Sequence, residues 1–214
     1  RLATAAVAMV AALGMAACTG GASTSSSSSS SAQVGDRSPE QIKEAGEIVI
    51  GIFSDKAPFG YIDADGKPAG YDVVYGDRIA ADLGVTAKYV PVDAAARTEV
   101  LASNKVDITL ANFTVTPERA EKVDFANPYF KVSLGVVSPT SAEITDVSQL
   151  AGKTLIVTKG TTAEAYFEAN HPEVKLQKYD QYSDAYQALE DGRGDAFSTD
   201  NTEVIAWAIQ HPGF

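Results

Sequence analysis

Asp107-Ile108-Thr109-Leu110-Ala111-Asn112-Phe113-Thr114-Val115-Thr116-Pro117-Glu118-Arg119 is the run that decides the fold of this chain. Val106 to Ala111 reads as a strand with Asn112 at its carboxyl end. Thr116 then reads as an N-cap, with Pro117 at the first helical position. Arg119 falls in that first turn, where the helix macrodipole disfavours a cation by roughly 0.3–1 kcal/mol. An anionic ligand held by the guanidinium fork would compensate. So would a plain surface pairing with Glu118 or Glu121.

The same pattern returns near the end of the chain. At one constant offset Leu101 falls on Leu189, Lys105 on Arg193, Asp107 on Asp195 and Asn112 on Asp200. Each unit reads as helix, basic turn, acidic strand start, and a polar residue at the strand's carboxyl end. Outward from the first unit, Ser38-Pro39-Glu40-Gln41 reads as a capped short helix ended by Gly46. Glu47 to Phe53 reads as a buried strand. Asp72 is expected to cap a helix whose apolar stripe is Tyr71, Val74, Tyr75, Ile79 and Leu83, stopped by Gly84. Thr86 to Val92 reads as a strand, Arg97 to Asn104 as a helix, and Tyr129 to Val137 as an extended stretch. Beyond it come strands over Gly152 to Thr158, Val174 to Tyr179 and Asp195 to Thr199. Helices are expected over Thr162 to Asn170 and Ser183 to Asp191. Two βαβαβ units suggest two α/β lobes; one larger doubly wound sheet is the alternative. Tyr129 to Val137 would be the hinge strand between the lobes.

The 214 residues carry a net charge of −11, are 45% apolar, and include one cysteine, Cys18. An acidic chain with no Lys/Arg cluster argues against nucleic acid and against adhesion to anionic lipid. Leu2 to Met15 is too short to span a bilayer, which takes about 20 residues, and suits a signal-peptide core. Met15-Ala16-Ala17-Cys18 resembles the lipobox of bacterial lipoproteins, in which the cysteine is lipidated; an ordinary secretory signal with an incidental cysteine is the alternative. Seven serines at Ser25 to Ser31 mark a flexible tether. The expected organisation is a signal peptide over 1–18, a tether over 19–37, lobe 1 over 38–134 and lobe 2 over 135–214.

In open α/β sheets ligands sit at the carboxyl ends of strands, where Asn112 and Asp200 face each other from the two lobes. Asn112, Thr114 and Arg119 supply an amide, a hydroxyl and a guanidinium. Gly160-Thr161-Thr162 offers backbone N–H groups at a helix start. Asp200 supplies a carboxylate, with Asn201 beside it. Donors for a carboxylate and an anion for an ammonium fit the α-groups of an amino acid. Each feature also has a plain reading: Asp200 as a helix cap, and Gly160 to Thr162 as a capped turn. Tyr75, Tyr166, Tyr186 and Trp207 read as core or interface, and His171 and His211 as surface turns.

The opening run, followed by Val123-Asp124-Phe125-Ala126-Asn127-Pro128-Tyr129, strongly resembles family 3 bacterial solute-binding proteins, the polar amino-acid receptors of ABC importers. Gly70-Tyr71-Asp72-Val73, Lys159-Gly160-Thr161-Thr162 and Gly194-Asp195-Ala196-Phe197-Ser198-Thr199-Asp200 fit as well. The resemblance implies an α/β, periplasmic-binding-protein-like type II fold of two lobes around a cleft. It also implies that the family continues past Phe214, so the second lobe is expected to be incomplete. Arg119 would clamp the α-carboxylate, aided by Thr114 and the backbone at Thr162, and Asp200 would take the ammonium near the Asn112 carbonyl. The side-chain pocket would involve Lys56, Phe59 and Arg97, which makes cationic amino acids poor ligands. Phe59-Gly60-Tyr61, Asp93 to Arg97, Ser103 to Asp107 and Tyr179-Asp180-Gln181 look most like the cysteine-binding branch, with glutamate or aspartate second.

The implied partners are an ABC permease and its ATPase subunit, with membrane contact through lipidated Cys18 alone. No catalytic residue, metal or cofactor is expected. The rivals are an enzyme on the same scaffold, dehydratase-like or lytic-transglycosylase-like, with Asp200 as its general acid, and a ligand-sensing ectodomain.

Overall fold

The computed structural model describes residues 33–214. The expected signal peptide, Cys18 and the serine run lie outside the described residues. Among the described residues no helix is long and apolar enough to cross a membrane.

Helix α1 (Pro39–Ala45) carries the expected capping box between Ser38 and Gln41, and Gly46 closes it in the left-handed region. β1 (Glu47–Ile52) is buried at every position but its first, as a near-continuous apolar run demands of a central strand. β2 (Asp55–Lys56), β3 (Gly60–Ile62) and β4 (Pro68–Ala69) make a small antiparallel sheet. Then follow α2 (Tyr71–Leu83), β5 (Thr86–Pro91), α3 (Arg97–Ala102) and β6 (Ile108–Thr109). β5, β1 and β6 form a parallel sheet in that order.

After α4 (Pro117–Ala120) the chain enters a second sheet. Its elements are β7 (Leu134–Val137), β8 (Thr154–Thr158), α5 (Thr162–Asn170), β9 (Lys175–Tyr179), α6 (Tyr182–Glu190), β10 (Ala196–Asp200) and α7 (Asn201–Gln210). The order is β7-β10-β8-β9, with β7 antiparallel to β10 and the other pairs parallel. Two separate sheets replace the single large sheet that the sequence left open.

The repeat has a physical basis. Asp107 Oδ2 accepts from the N–H of Val49, and Asp195 Oδ2 accepts from the N–H of Thr154, both at 2.7 Å. Their own N–H groups donate to Val49 O and Thr154 O, both at 2.8 Å. In the turns before them Asn104 and Gly192 have φ of 56° and 69°, the left-handed region. Each acid therefore staples the start of its strand to the neighbouring strand.

Several local expectations are corrected. α2 is capped at Gly70, not Asp72, and its buried face is Asp72, Val73, Gly76 and Ala80. Tyr71, Val74 and Tyr75 are exposed instead. The stripe holds at Ile79 and Leu83, which pack partly buried against the core, and fails in the first turns, where Tyr89 and Ile50 press on Gly76 and a Cβ would come within 2.7 Å of the Tyr89 hydroxyl. Small residues, not large ones, face the sheet there. The strand expected over Val106 to Ala111 is paired only at Ile108–Thr109. Of the stretch Tyr129 to Val137, only Leu134–Val137 is a strand. The end of the expected tether is anchored: Gly35 N–H and the Arg37 guanidinium both donate to the Asp107 carboxylate.

One apolar cluster runs through both halves. It contains Val49, Phe53 and Ala111 from the first, and Ile156, Tyr182 and Phe197 from the second. Phe53 and Tyr182 meet edge to face at 5.3 Å between ring centres.

Candidate functional site

The two halves meet at the carboxyl ends of β6, β8 and β10. There Lys56, Arg97, Asn112, Thr114 and Arg119 face Thr161, Thr162, Tyr182, Thr199 and Asp200 around a cavity of about 10 Å³. That is room for about one water molecule. Eight of the ten residues expected to bind the ligand line it; Gly160 and Phe59 do not, but touch the lining residues Arg97, Arg119 and Lys56.

Thr116 caps α4 as expected, its hydroxyl accepting from the Arg119 N–H at 3.3 Å. The Arg119 guanidinium donates to Thr114 O and to Gly160 O, both at 2.8 Å, and lies 4.7 Å from the Phe113 ring centre. Carbonyl dipoles and a π-face thus stabilise this first-turn cation, in place of a Glu118 or Glu121 pairing. Burial, chiefly, lowers its pKa. A guanidinium has five N–H donors, so the two carbonyls leave Arg119 with donors to spare.

Arg97 is buried and donates to the carbonyls of Ala94, Ala111, Asn112 and Gly160 at 2.9 to 3.1 Å. Burial, chiefly, pushes it down to about 10. Gly160 O thus accepts from both guanidinium groups and ties the second half to the first. Gly160 has φ of +73°, and a Cβ there would lie 2.5 Å from Ala95 Cα, so glycine is required.

Gly160 N–H is not available to a ligand, as the sequence suggested it would be. It donates to Glu164 Oε2 at 2.7 Å. Thr161 caps α5 by accepting from the Glu164 N–H. The first N–H groups of a helix have no intrahelical partner, so Thr161 and Thr162 carry what remains of the expected anion site.

Asp200 stands at the N-cap position of α7, as its plain reading has it, but its side chain makes no cap hydrogen bond. It faces Lys56, expected in the side-chain pocket but found with its Nζ 3.3 Å from Asp200 Oδ2. Lys56 Nζ also lies 3.1 Å from Glu203 Oε2 and 3.0 Å from the Tyr182 hydroxyl. Burial opposes the Lys56 charge, yet Glu203, Tyr182 and Asp200 outweigh it and raise its pKa. Glu203 is fully buried and also accepts from Thr199 Oγ1 and the Tyr186 hydroxyl. Phe59 lies under the Lys56 ammonium, 6.0 Å from its ring centre. Asn112 has φ of 46°, and its buried Oδ1 has no hydrogen-bond partner.

Tyr182 and Glu203 are the partners of Lys56 at this site that sequence reasoning missed. Glu203 left a faint signal, an acid inside an otherwise apolar helix, masked by the preference for acids in a first turn. Tyr182 left none, because it sits at the boundary where α6 begins. Among the described residues no cluster of three or more ligands could hold a metal ion.

Residues 48–210 match the family model of bacterial extracellular solute-binding proteins, family 3. The chain is 29% identical over 185 residues to the glutamine-binding protein of Geobacillus stearothermophilus, covering 84% of this chain and 71% of that protein. It is 30% identical over 167 residues to the L-cystine-binding protein TcyJ of Escherichia coli K12, covering 77% of this chain and 63% of that protein. The crystal structure of a solute receptor for L-cysteine from Neisseria gonorrhoeae superposes with a TM-score of 0.81 at 53% identity, covering 83% of this chain and 73% of the other. The cysteine-binding protein of Campylobacter jejuni superposes with a TM-score of 0.79 at 52% identity, covering 82% and 72%. The α/β fold is that of type II periplasmic binding proteins. With its sheets, its cleft and these relatives in view, the chain belongs to the bacterial extracellular solute-binding proteins of family 3.

Proposed function

We propose that this protein is an extracytoplasmic receptor that binds a polar amino acid, L-cysteine first, and delivers it to an ABC permease driven by a separate ATPase subunit. The observation that carries the reading is the pairing of opposite charges across one cleft. Arg119 and the start of α5 face Asp200 and the unpartnered Asn112 Oδ1. Arg119 and the Thr162 N–H take the α-carboxylate, Thr114 supports them, and Asp200 and Asn112 Oδ1 take the ammonium.

The relatives named for cysteine, at 52 and 53% identity, favour that ligand. An acidic amino acid is less well supported, because Lys56 and Arg97 already have protein partners. The relatives are named as solute-binding proteins, so the enzymatic rival has no support from them.

Ligand binding then shifts a two-state equilibrium. Moving closure from 1% to 99% takes about 5.5 kcal/mol of preference. Two sets of charge-assisted hydrogen bonds at roughly 1.5–3 kcal/mol each are of that order. Attachment to the membrane is assigned to lipidated Cys18, on the strength of the Met15-Ala16-Ala17-Cys18 motif.

Isothermal titration of the twenty amino acids, followed by mass spectrometry of the recovered ligand, tests this. Tight binding of unchanged L-cysteine is expected. Chemical turnover of the ligand, or no heat with any amino acid, overturns it.

A further inference from the structure

Helices α1, α4 and α5 take their N-caps from their own adjoining residues, Ser38, Thr116 and Thr161. α6 does not. Its N-cap position holds Gln181 in extended backbone; the Gln181 carbonyl accepts from the Ala185 N–H, but its side chain makes no cap bond. Helices α2, α3 and α7 lack a side-chain cap too, but at α6 a carboxylate from the other half takes its place. Asp55 Oδ2 accepts from the Ser183 N–H at 3.1 Å and from the Ser183 hydroxyl at 3.4 Å. Ser183 is the second residue of α6, and a capping side chain ordinarily takes the N–H of the second or third.

Asp55 lies 128 positions before Ser183, in β2 of the first half, where its backbone pairs with Tyr61. The acceptor is therefore fixed in one half and the donor in the other. Lys56, the next residue, donates to the hydroxyl of Tyr182, with which α6 begins. Gln181 Nε2 donates to Asp93 Oδ1, from the loop between β5 and α3. Three consecutive residues at the start of α6 are thus gripped from the opposite half. Two of the grips are carboxylates at the positive end of the helix dipole. None of Asp55, Asp93, Gln181 and Ser183 lines the ligand cavity.

We propose that Asp55 is a positioning residue for cleft closure: it caps α6 from across the cleft, so the helix gains its N-cap only when the halves meet. For its ligand this rests on the amino-acid reading above. When the halves part, the Asp55 carboxylate and the Ser183 N–H return to water; closing joins them in a charge-assisted bond. Apparent affinity scales with the population of the binding-competent state. The cap therefore tightens every ligand that closes the cleft by the same factor, without touching any of them.

Titration calorimetry of Asp55→Ala and Asp55→Asn with L-cysteine tests this. Alanine cannot cap, whereas asparagine caps about as well as aspartate. Asp55→Ala is expected to lose about 5- to 10-fold in affinity, the equivalent of a typical N-cap, for every amino acid that gives heat. Asp55→Asn should stay within about 3-fold of the wild type, having lost only the charge at the helix end. With saturating L-cysteine, the Ser183 amide should exchange with solvent more slowly in the wild type and Asp55→Asn than in Asp55→Ala, as followed by NMR.

Wild-type affinity in Asp55→Ala overturns the proposal and leaves the receptor reading intact. A Ser183 amide that exchanges alike in all three proteins does the same. Equal losses in Asp55→Asn and Asp55→Ala also overturn it, because charge and not capping would then be responsible. No heat with any amino acid removes the receptor reading. Slower Ser183 exchange in the ligand-free wild type than in Asp55→Ala would then uphold the cross-cleft cap, and equal rates would overturn it.

Discussion

The Lys56 ammonium lies 3.3 Å from the Asp200 carboxylate, although the two residues are 144 positions apart in sequence and belong to different sheets. A cation of the protein thus occupies the place assigned to the ligand's ammonium. Lys56 is an internal counter-charge set between the Asp200 and Glu203 carboxylates.

Removing that cation strands buried carboxylates. Lys56→Met is expected to destabilise the protein by about 3–5 kcal/mol, the usual cost of breaking a buried ion pair from one side. Urea unfolding checks this. A loss below about 1 kcal/mol would mean that Glu203 is satisfied by Thr199 and Tyr186 alone.

In the proposed complex Arg119 holds the other end of the zwitterion. Arg119→Ala should weaken amino-acid binding by about 100-fold, the equivalent of roughly 3 kcal/mol of charge-assisted bonding. Circular dichroism should remain native. Near-normal affinity in titration calorimetry would remove Arg119 from the site.

Asp200 should discriminate by charge. In Asp200→Asn, L-cysteine is expected to lose about 10- to 100-fold in affinity, whereas 3-mercaptopropionate, which lacks the amino group, should change little. Equal losses for both would count against the ammonium role.

Gly160 brings the halves together where no side chain fits. Gly160→Ala must adopt a left-handed φ, at about 1–2 kcal/mol, and thrust a methyl at Ala95. A lowered Tm and a larger radius of gyration by X-ray scattering are expected, since the alanine holds the cleft open. Unchanged scattering would show that the contact yields.

The pH dependence has a definite sign. Burial, chiefly, raises folded Asp72 to about 7, whereas an unfolded aspartate titrates near 3.9, by ordinary reference values. Between those pH values the folded chain keeps a proton that the unfolded chain has lost, so stability falls as pH rises. Asp72→Asn should remove that slope. Chemical denaturation at pH 4.5 and 7.5, compared between the two proteins, measures it; parallel profiles would contradict the burial.

Much of the fold was legible because local rules act at the ends of elements. The capping box of α1, Gly46, Gly84, and the Thr116-Pro117 start of α4 all form as the residues dictate. The repeat was legible because Asp107 and Asp195 perform the same backbone staple. The buried face of α2 was not, because the room beside Gly76 is set by Tyr89 and Ile50 from strands across the sheet. Eight of the ten residues expected at the site line the cleft, since strand ends and helix starts put them there whatever the side chains do.

Sequence alone thus determined the elements, the duplication, and the residue types placed at the carboxyl ends of the strands, all consequences of periodicity, capping and turn chemistry within a few positions. The tertiary structure alone decided which charge meets which. Lys56 reaches Asp200 and Glu203, Gly160 O receives both guanidinium groups, and Asp72 is left buried without a partner. Those pairings depend on how two separately formed sheets close on each other, and burial there makes electrostatic attraction far stronger than it is at an exposed surface.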